Sequence, residues 1–131
     1  MIFVDTGAWF AAFVPSDRNH AAASAWLRAN NERLVTTDFI VDELITLLGR
    51  RGERRRSKLF RDTLLQEQWA ALEYVTPTDF MKAWDLHEAF QDKEWSFTDC
   101  TSYIIMQRLG IQSAFSFDLH FKQFATVSVV P

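Results

Sequence analysis

Hydrophobic and polar positions along this chain follow two periods in alternation. Brief apolar runs at 2–5, 34–36, 72–75, 113–117 and 127–130 read as short buried strands. Between them apolar residues recur at helical spacing. Trp9, Phe10 and Phe13 form one helix closed by Pro15, and Ala22, Ala25, Trp26 and Leu27 form a second, capped by Ser16 or Asp17 and stopping near Asn30. A third helix runs over 39–51, opened by Thr37 or Asp38 and interrupted by Gly52, and 53–70 continues as helix. Pro77 enters the next, which carries Phe80, Met81, Trp84, Leu86 and Phe90. The last is opened by Ser96 and Thr98, runs through Tyr103, Ile104, Ile105, Met106 and Leu109, and stops at Gly110. Short strands alternating with helices, without repeats or low-complexity stretches, predict an α/β fold: one domain over 1–131, with a parallel sheet covered on both faces. Ligands of such sheets bind beyond the carboxyl ends of the strands, and Asp5 and Asp118 both fall on that edge.

Composition narrows the picture. The chain has 131 residues, 48% of them apolar, with five Trp and twelve Phe, which suits a packed core and excludes disorder. The opening residues carry no basic leader, and no long apolar segment occurs, so neither a signal peptide nor a membrane span is expected. Cys100 is the single cysteine and has no partner for an internal disulfide, in keeping with a reducing cytoplasm. No histidine stands beside it in sequence, so it reads as a small helix residue rather than a nucleophile. A net charge of −3 requires any nucleic-acid contact to come from a local patch.

The candidate chemistry lies in the acids. Asp99 sits in the first turn of its helix, where Ser96-x-x-Asp99 also fits a capping box. On the third helix, Glu43 projects inside the edge of the apolar arc made by Phe39, Ile40, Val41, Leu44, Ile45, Leu47 and Leu48, whereas Asp42 projects away from it. A carboxylate aimed along an apolar face needs a partner, because burying an unpaired charge is expensive; a snorkelling surface glutamate is the alternative. Asp5, Glu43, Asp99 and Asp118 thus form a candidate cluster. An all-oxygen set suits Mg²⁺ or Mn²⁺, ions that activate water and stabilise the charge of a phosphodiester displacement. Thr6, Ser96 and Thr98 are placed either to hold waters or the phosphate or to cap helices. His20, His87 and His120 are scattered without metal-ligand spacing and read as surface or core residues.

Val4-Asp5-Thr6, Glu43 in its apolar helix, Phe97-Thr98-Asp99-Cys100 and Ser116-Phe117-Asp118-Leu119-His120-Phe121 together resemble the PIN-domain ribonucleases, across nearly the whole chain. The size and lack of further domains resemble the VapC-like toxins of toxin–antitoxin pairs. The resemblance implies a three-layer α/β/α sandwich with a mainly parallel sheet, a Mg²⁺- or Mn²⁺-dependent endoribonuclease, a homodimer, and inhibition by a small antitoxin protein. Asp5, Glu43 and Asp99 match the family's central metal-binding acids, and Asp118 its more variable fourth.

Arg50, Arg51, Arg54, Arg55, Arg56, Lys58 and Arg61 place seven of the fourteen basic residues within twelve positions. Such a run is either a solvated helix face or a patch that tracks RNA phosphates beside an acidic site; an acidic antitoxin segment is a further occupant. Two rival readings keep the fold. A phosphatase with Asp5 as nucleophile would want a second acid at position 7, which is Gly. A non-catalytic PIN-like module binding RNA or protein would not need all four acids.

Overall fold

The computed structural model describes residues 1–66, 68–124 and 126–131. In chain order the elements are β1 (Ile2–Val4), α1 (Thr6–Phe13), α2 (His20–Ala29), β2 (Leu34–Thr37), α3 (Asp38–Arg50), α4 (Arg56–Leu65), β3 (Ala70–Glu73), α5 (Pro77–Ala89), α6 (Phe97–Leu109), β4 (Ser113–Phe115), a short 3₁₀ helix (Leu119–Gln123) and β5 (Ser128–Val130). The five strands pair in parallel in the order β3-β2-β1-β4-β5. β1 and β2 are buried along their whole length, as strands covered by helices on both faces must be. This is the expected three-layer α/β/α sandwich. Strand order reverses between β1 and β4, and that switch point opens a crevice beyond their carboxyl ends.

Local chemistry sets most boundaries. Asp5 caps α1 by accepting the Ala8 N–H at 3.0 Å, and Thr37 caps α3 through the Ile40 N–H at 3.1 Å. α5 and α6 both open with complete capping boxes, Thr76 with Asp79 and Ser96 with Asp99, and Pro77 occupies the first turn of α5. Gly110 closes α6 with φ +68°, a left-handed conformation that glycine adopts without a Cβ clash. Phe3, Val4, Leu44, Leu48, Ile105, Ala114 and Phe115 are fully buried around the central strands.

Several elements depart from the sequence reading. The helix expected over 53–70 is shorter, Arg56–Leu65, because Gly52 turns the chain at φ +70° and Glu53 to Arg55 form the approach to α4. β3 begins at Ala70 rather than 72, drawn into register with β2 by the pairing of Ala70 with Leu34. α2 is capped at Asn19, one of whose neighbours, Asp17, instead accepts the Asn19 N–H at 2.9 Å. β4 stops at Phe115, two residues early, releasing Ser116 to make side-chain bonds. Ile45 does not join the apolar arc of α3 but is exposed, and α5 likewise exposes Met81, Trp84 and Phe90 while burying Asp79 and Ala83. Among the described residues no helix is long and apolar enough to cross a membrane.

Candidate metal centre

The crevice at the switch point receives acids from four separate elements. Asp5 follows β1 and is 5% exposed; its Oδ1 accepts the Ala8 N–H, and its Oδ2 accepts the Ser116 hydroxyl. Burial pushes the Asp5 carboxyl up to about 7; the Ser116 and Ala8 hydrogen bonds oppose that rise, and the charges of Asp118 and Asp99 add to it. Ser116, just beyond β4, also accepts the Asp118 N–H on its Oγ at 3.0 Å. One hydroxyl therefore ties Asp5 to the backbone at Asp118. Asp118 opens the 3₁₀ helix, and its Oδ1 accepts the His120 N–H at 2.9 Å.

Asp99 completes a helix cap and also lies among other acids. Its Oδ2 accepts the Ser96 N–H at 3.0 Å, and the Ser96 Oγ accepts the Asp99 N–H at 3.0 Å, so the capping box is real. Asp99 also faces other acids. Burial raises its carboxyl above the usual range, the Ser96 N–H opposes this, and the Asp118 and Glu43 charges push it further up. Glu43 is half-buried and Asp42 exposed, the division that the helical period of α3 predicts. Coulombic coupling thus links Asp5 to Asp99 and Asp118, and Asp99 to Glu43.

The supporting residues sort differently. Ser96 spends its oxygen on the cap, and the Thr98 carbonyl accepts the Thr101 hydroxyl at 2.7 Å. Thr6 is 6% exposed, and its Oγ1 has no hydrogen-bond partner among the described residues. Cys100 is buried beneath Asp99, and burial pushes its thiol up to about 11, with the Asp99 charge adding to the shift. At that value it packs rather than reacts.

His120 corrects the sequence reading, which set all three histidines aside. Asp99, Asp118 and His120 each offer a ligand atom within 4.8 Å of the others. The imidazole Nδ1 lies 3.3 Å from Asp118 Oδ1, and its Nε2 lies 3.6 Å from Glu94. No α-helical or strand spacing signals this, because Asp118 and His120 are brought together by a 3₁₀ turn. Ser116 was missed for a different reason: its partner Asp5 is 111 residues away.

This donor set fits a hard divalent cation. Its carboxylates outnumber its single imidazole, Asp5 is buried with no cation beside it among the described residues, and the orphaned Thr6 hydroxyl stands next to it in the chain. Bringing several anions together at a buried edge costs free energy that a shared cation would offset.

The basic run does not act as one surface. Arg51 lies 5.9 Å above the Phe10 ring and, with Arg18, lines a groove of about 690 Å³ that reaches Gly7 and Asp118. The Arg56 Nε is held by Glu53 at 2.6 Å, so this arginine staples the start of α4 rather than standing free. Arg55 is 3.9 Å from Glu53, while Arg50, Arg54 and Lys58 are exposed.

A five-stranded parallel sheet with an acid-lined switch point defines the class to which the comparisons also lead: residues 2–127 match the PIN domain, and the chain belongs to that family. At full length it is 32% identical over 131 residues to the 23S rRNA-specific endonuclease VapC20 of Mycobacterium tuberculosis strains CDC 1551 / Oshkosh and H37Rv, covering 100% of this chain and 99% of the relative. The crystal structure of M. tuberculosis VapC20, a sarcin–ricin loop cleaving toxin, superposes with a TM-score of 0.91 at 30% identity, covering 100% of both chains. FitAcB from Neisseria gonorrhoeae shares the fold, with a TM-score of 0.67 at 15% identity over 100% of this chain and 97% of that one.

Proposed function

We propose that this protein is an endoribonuclease toxin of a toxin–antitoxin pair that hydrolyses a phosphodiester bond of ribosomal RNA with the aid of Mg²⁺ or Mn²⁺. The observation that carries the reading is the convergence of Asp5, Glu43, Asp99 and Asp118 from four elements on one edge of the sheet, supported by the full-length likeness to a 23S rRNA-specific endonuclease. In this assignment Asp5, Glu43, Asp99 and Asp118 hold the cation, joined by His120, whose imidazole lies within ligand reach of Asp99 and Asp118, with Thr6 beside the site. The bound cation supplies Lewis acidity and a water of lowered pKa. Ser116 orients Asp5, the Ser96 cap fixes Asp99, and Arg51 and Arg18 draw the phosphate chain along their groove toward Asp118. The protein acts in the cytoplasm as a homodimer, and a small antitoxin silences it.

The test is cleavage of 23S rRNA by the purified protein with Mn²⁺, with Mg²⁺ and with EDTA. EDTA should abolish cleavage and either ion restore it. Asp99→Asn keeps the capping acceptor but loses the charge, so cleavage should fall by orders of magnitude while the fold persists; Asp42→Asn, on the exposed side of α3, should cut normally. Wild-type rates from Asp99→Asn would leave that residue a cap and nothing more.

A further inference from the structure

Asp118 stands where two hollows meet. The groove of Arg18 and Arg51 reaches it from the side of α1 and α3, and a smaller hollow of about 180 Å³ reaches it from the side of β5. Phe117 and Asp118 line both, and the two share no other residue. The smaller one is walled by Phe117, Leu119, Val129 and Pro131, with Lys122 as the cation among its lining residues. The 3₁₀ turn makes this wall. Asp118 caps it by accepting the His120 N–H, and Phe121 is buried in the core, stacked at 6.3 Å on Phe3. With three residues to a turn, Leu119 and Lys122 then stand one above the other on the outer side. Leu119 is 70% exposed, the most exposed large apolar side chain among the described residues. Lys122 is exposed and forms no ion pair among them.

We propose that this hollow holds one unstacked nucleobase next to the scissile phosphate; the proposal rests on the endoribonuclease reading above. RNA then lies across Asp118, its phosphates following the Arg18–Arg51 groove on one side and a single base turned into the hollow on the other. Apolar walls with a lone donor suit a planar ring, which packs its faces against side chains and presents acceptors at its edge. The ammonium of Lys122 has three donors and no acceptor, so it selects a carbonyl oxygen or ring nitrogen on that edge. A phosphate would meet a single cation here, against two in the other groove. The volume lies well below the roughly 300–1,000 Å³ of sites for drug-sized molecules, which leaves room for one ring system and not for a stacked pair. A base anchored there fixes the neighbouring phosphate over the acids, a contribution to orientation.

The experiment uses an RNA oligonucleotide spanning the bond that the protein cuts in 23S rRNA. Copies of it carry an abasic nucleotide at each of the two positions on either side of that bond, one at a time. At one position the wild-type enzyme should lose about tenfold or more in kcat/KM. Leu119→Ala combined with Lys122→Met changes two exposed side chains, so the fold persists. This double variant should lose a similar factor on the intact RNA and nothing further on that abasic copy. The two losses do not multiply, because each removes the same contact. Lys122→Arg, which keeps a donor, should cut the intact RNA close to the wild-type rate. Losses that multiply would mean that base and hollow act independently, and would overturn the proposal. A double variant that cuts the intact RNA as wild type does would overturn it too and leave Leu119 and Lys122 to a protein partner. Undiminished wild-type cleavage of every abasic copy would also overturn it. If the wild-type enzyme cuts no RNA at all, the endoribonuclease reading falls, and this proposal with it.

Discussion

At the scale of single residues, Ser116 is the most consequential side chain that the sequence did not reveal. It donates to Asp5 and accepts from the Asp118 backbone, so one hydroxyl couples two acids. Burial raises Asp5 to about 7, against an ordinary value of 3.8. In metal-free protein the folded state therefore keeps a proton on Asp5 that the unfolded chain has already lost, and stability falls as pH rises from about 4 through 7. Cation binding should likewise strengthen as Asp5 ionises near 7. Ser116→Ala removes a bond that holds Asp5 down. At sub-saturating Mn²⁺, the pH at which cleavage reaches half its plateau should move upward by about one to two units, since a hydrogen bond to a charged group is worth about 1.5–3 kcal/mol and each pKa unit about 1.4. A uniformly lower rate with an unmoved pH profile would mean that Ser116 matters only for packing. Asp5, Asp99 and Asp118 were legible because each follows a strand end or starts a helix, positions marked in sequence by turn and cap residues, and Glu43 because the helical period of α3 sets it at the edge of the apolar arc. Ser116 and His120 were not, because one acts across the sheet and the other through a 3₁₀ turn.

At the scale of elements, α5 and α6 are fastened by a polar staple. Arg108 of α6 reaches Asp79 of α5 through two bonds of 3.0 Å and Glu73 of β3 through a third of 3.0 Å. Asp79 is only 2% exposed and also completes the capping box with Thr76. Burial alone would raise its carboxyl, but the Thr76 backbone N–H and the Arg108 guanidinium outweigh it and hold the group below its ordinary value. Asp79→Ala removes the carboxylate half of the capping box and the ion pair together, leaving Thr76 as the cap, and should cost about 2–3 kcal/mol in urea unfolding, because hydrogen bonds to a charged group are worth about 1.5–3. Arg108→Ala, which leaves the whole capping box intact, should cost less; the reverse order would show that the Asp79 bond to the Thr76 N–H contributes little. Where helix starts carry their own caps, the sequence reading lands close: α3 was expected over 39–51 and spans Asp38–Arg50. It fails at Ala70, read as the end of the helix over 53–70, which instead begins β3, two residues ahead of the strand expected at 72–75. Gln68 at φ 54° turns the chain there, and pairing with β2 overrides local propensity.

At the scale of the whole molecule, the acid cluster sets a tension between stability and readiness for a cation. Burial raises the carboxyls of Asp5 and Asp99 first, and the charges of their neighbours among Glu43, Asp99 and Asp118 add to the rise, so in the metal-free protein these acids are held at a cost. Mn²⁺ at a hundredfold excess over its Kd should stabilise the fold by about 2.7 kcal/mol, a rise of several degrees in Tm. Asp99→Asn should melt no lower than wild type in EDTA and gain much less from Mn²⁺. A variant less stable in EDTA but equally responsive to Mn²⁺ would assign Asp99 to the cap alone.

The pairing of β1 with β4 has a meaning for the life of the chain. Asp5 is made 111 positions ahead of its hydroxyl partner, and Val4 meets its β4 neighbour only at Phe115. No shorter nascent segment contains both halves of the crevice. The crevice thus stays unfinished while those 111 residues are made, and it is β4 and the turn beyond it, rather than any separate activation step, that complete it.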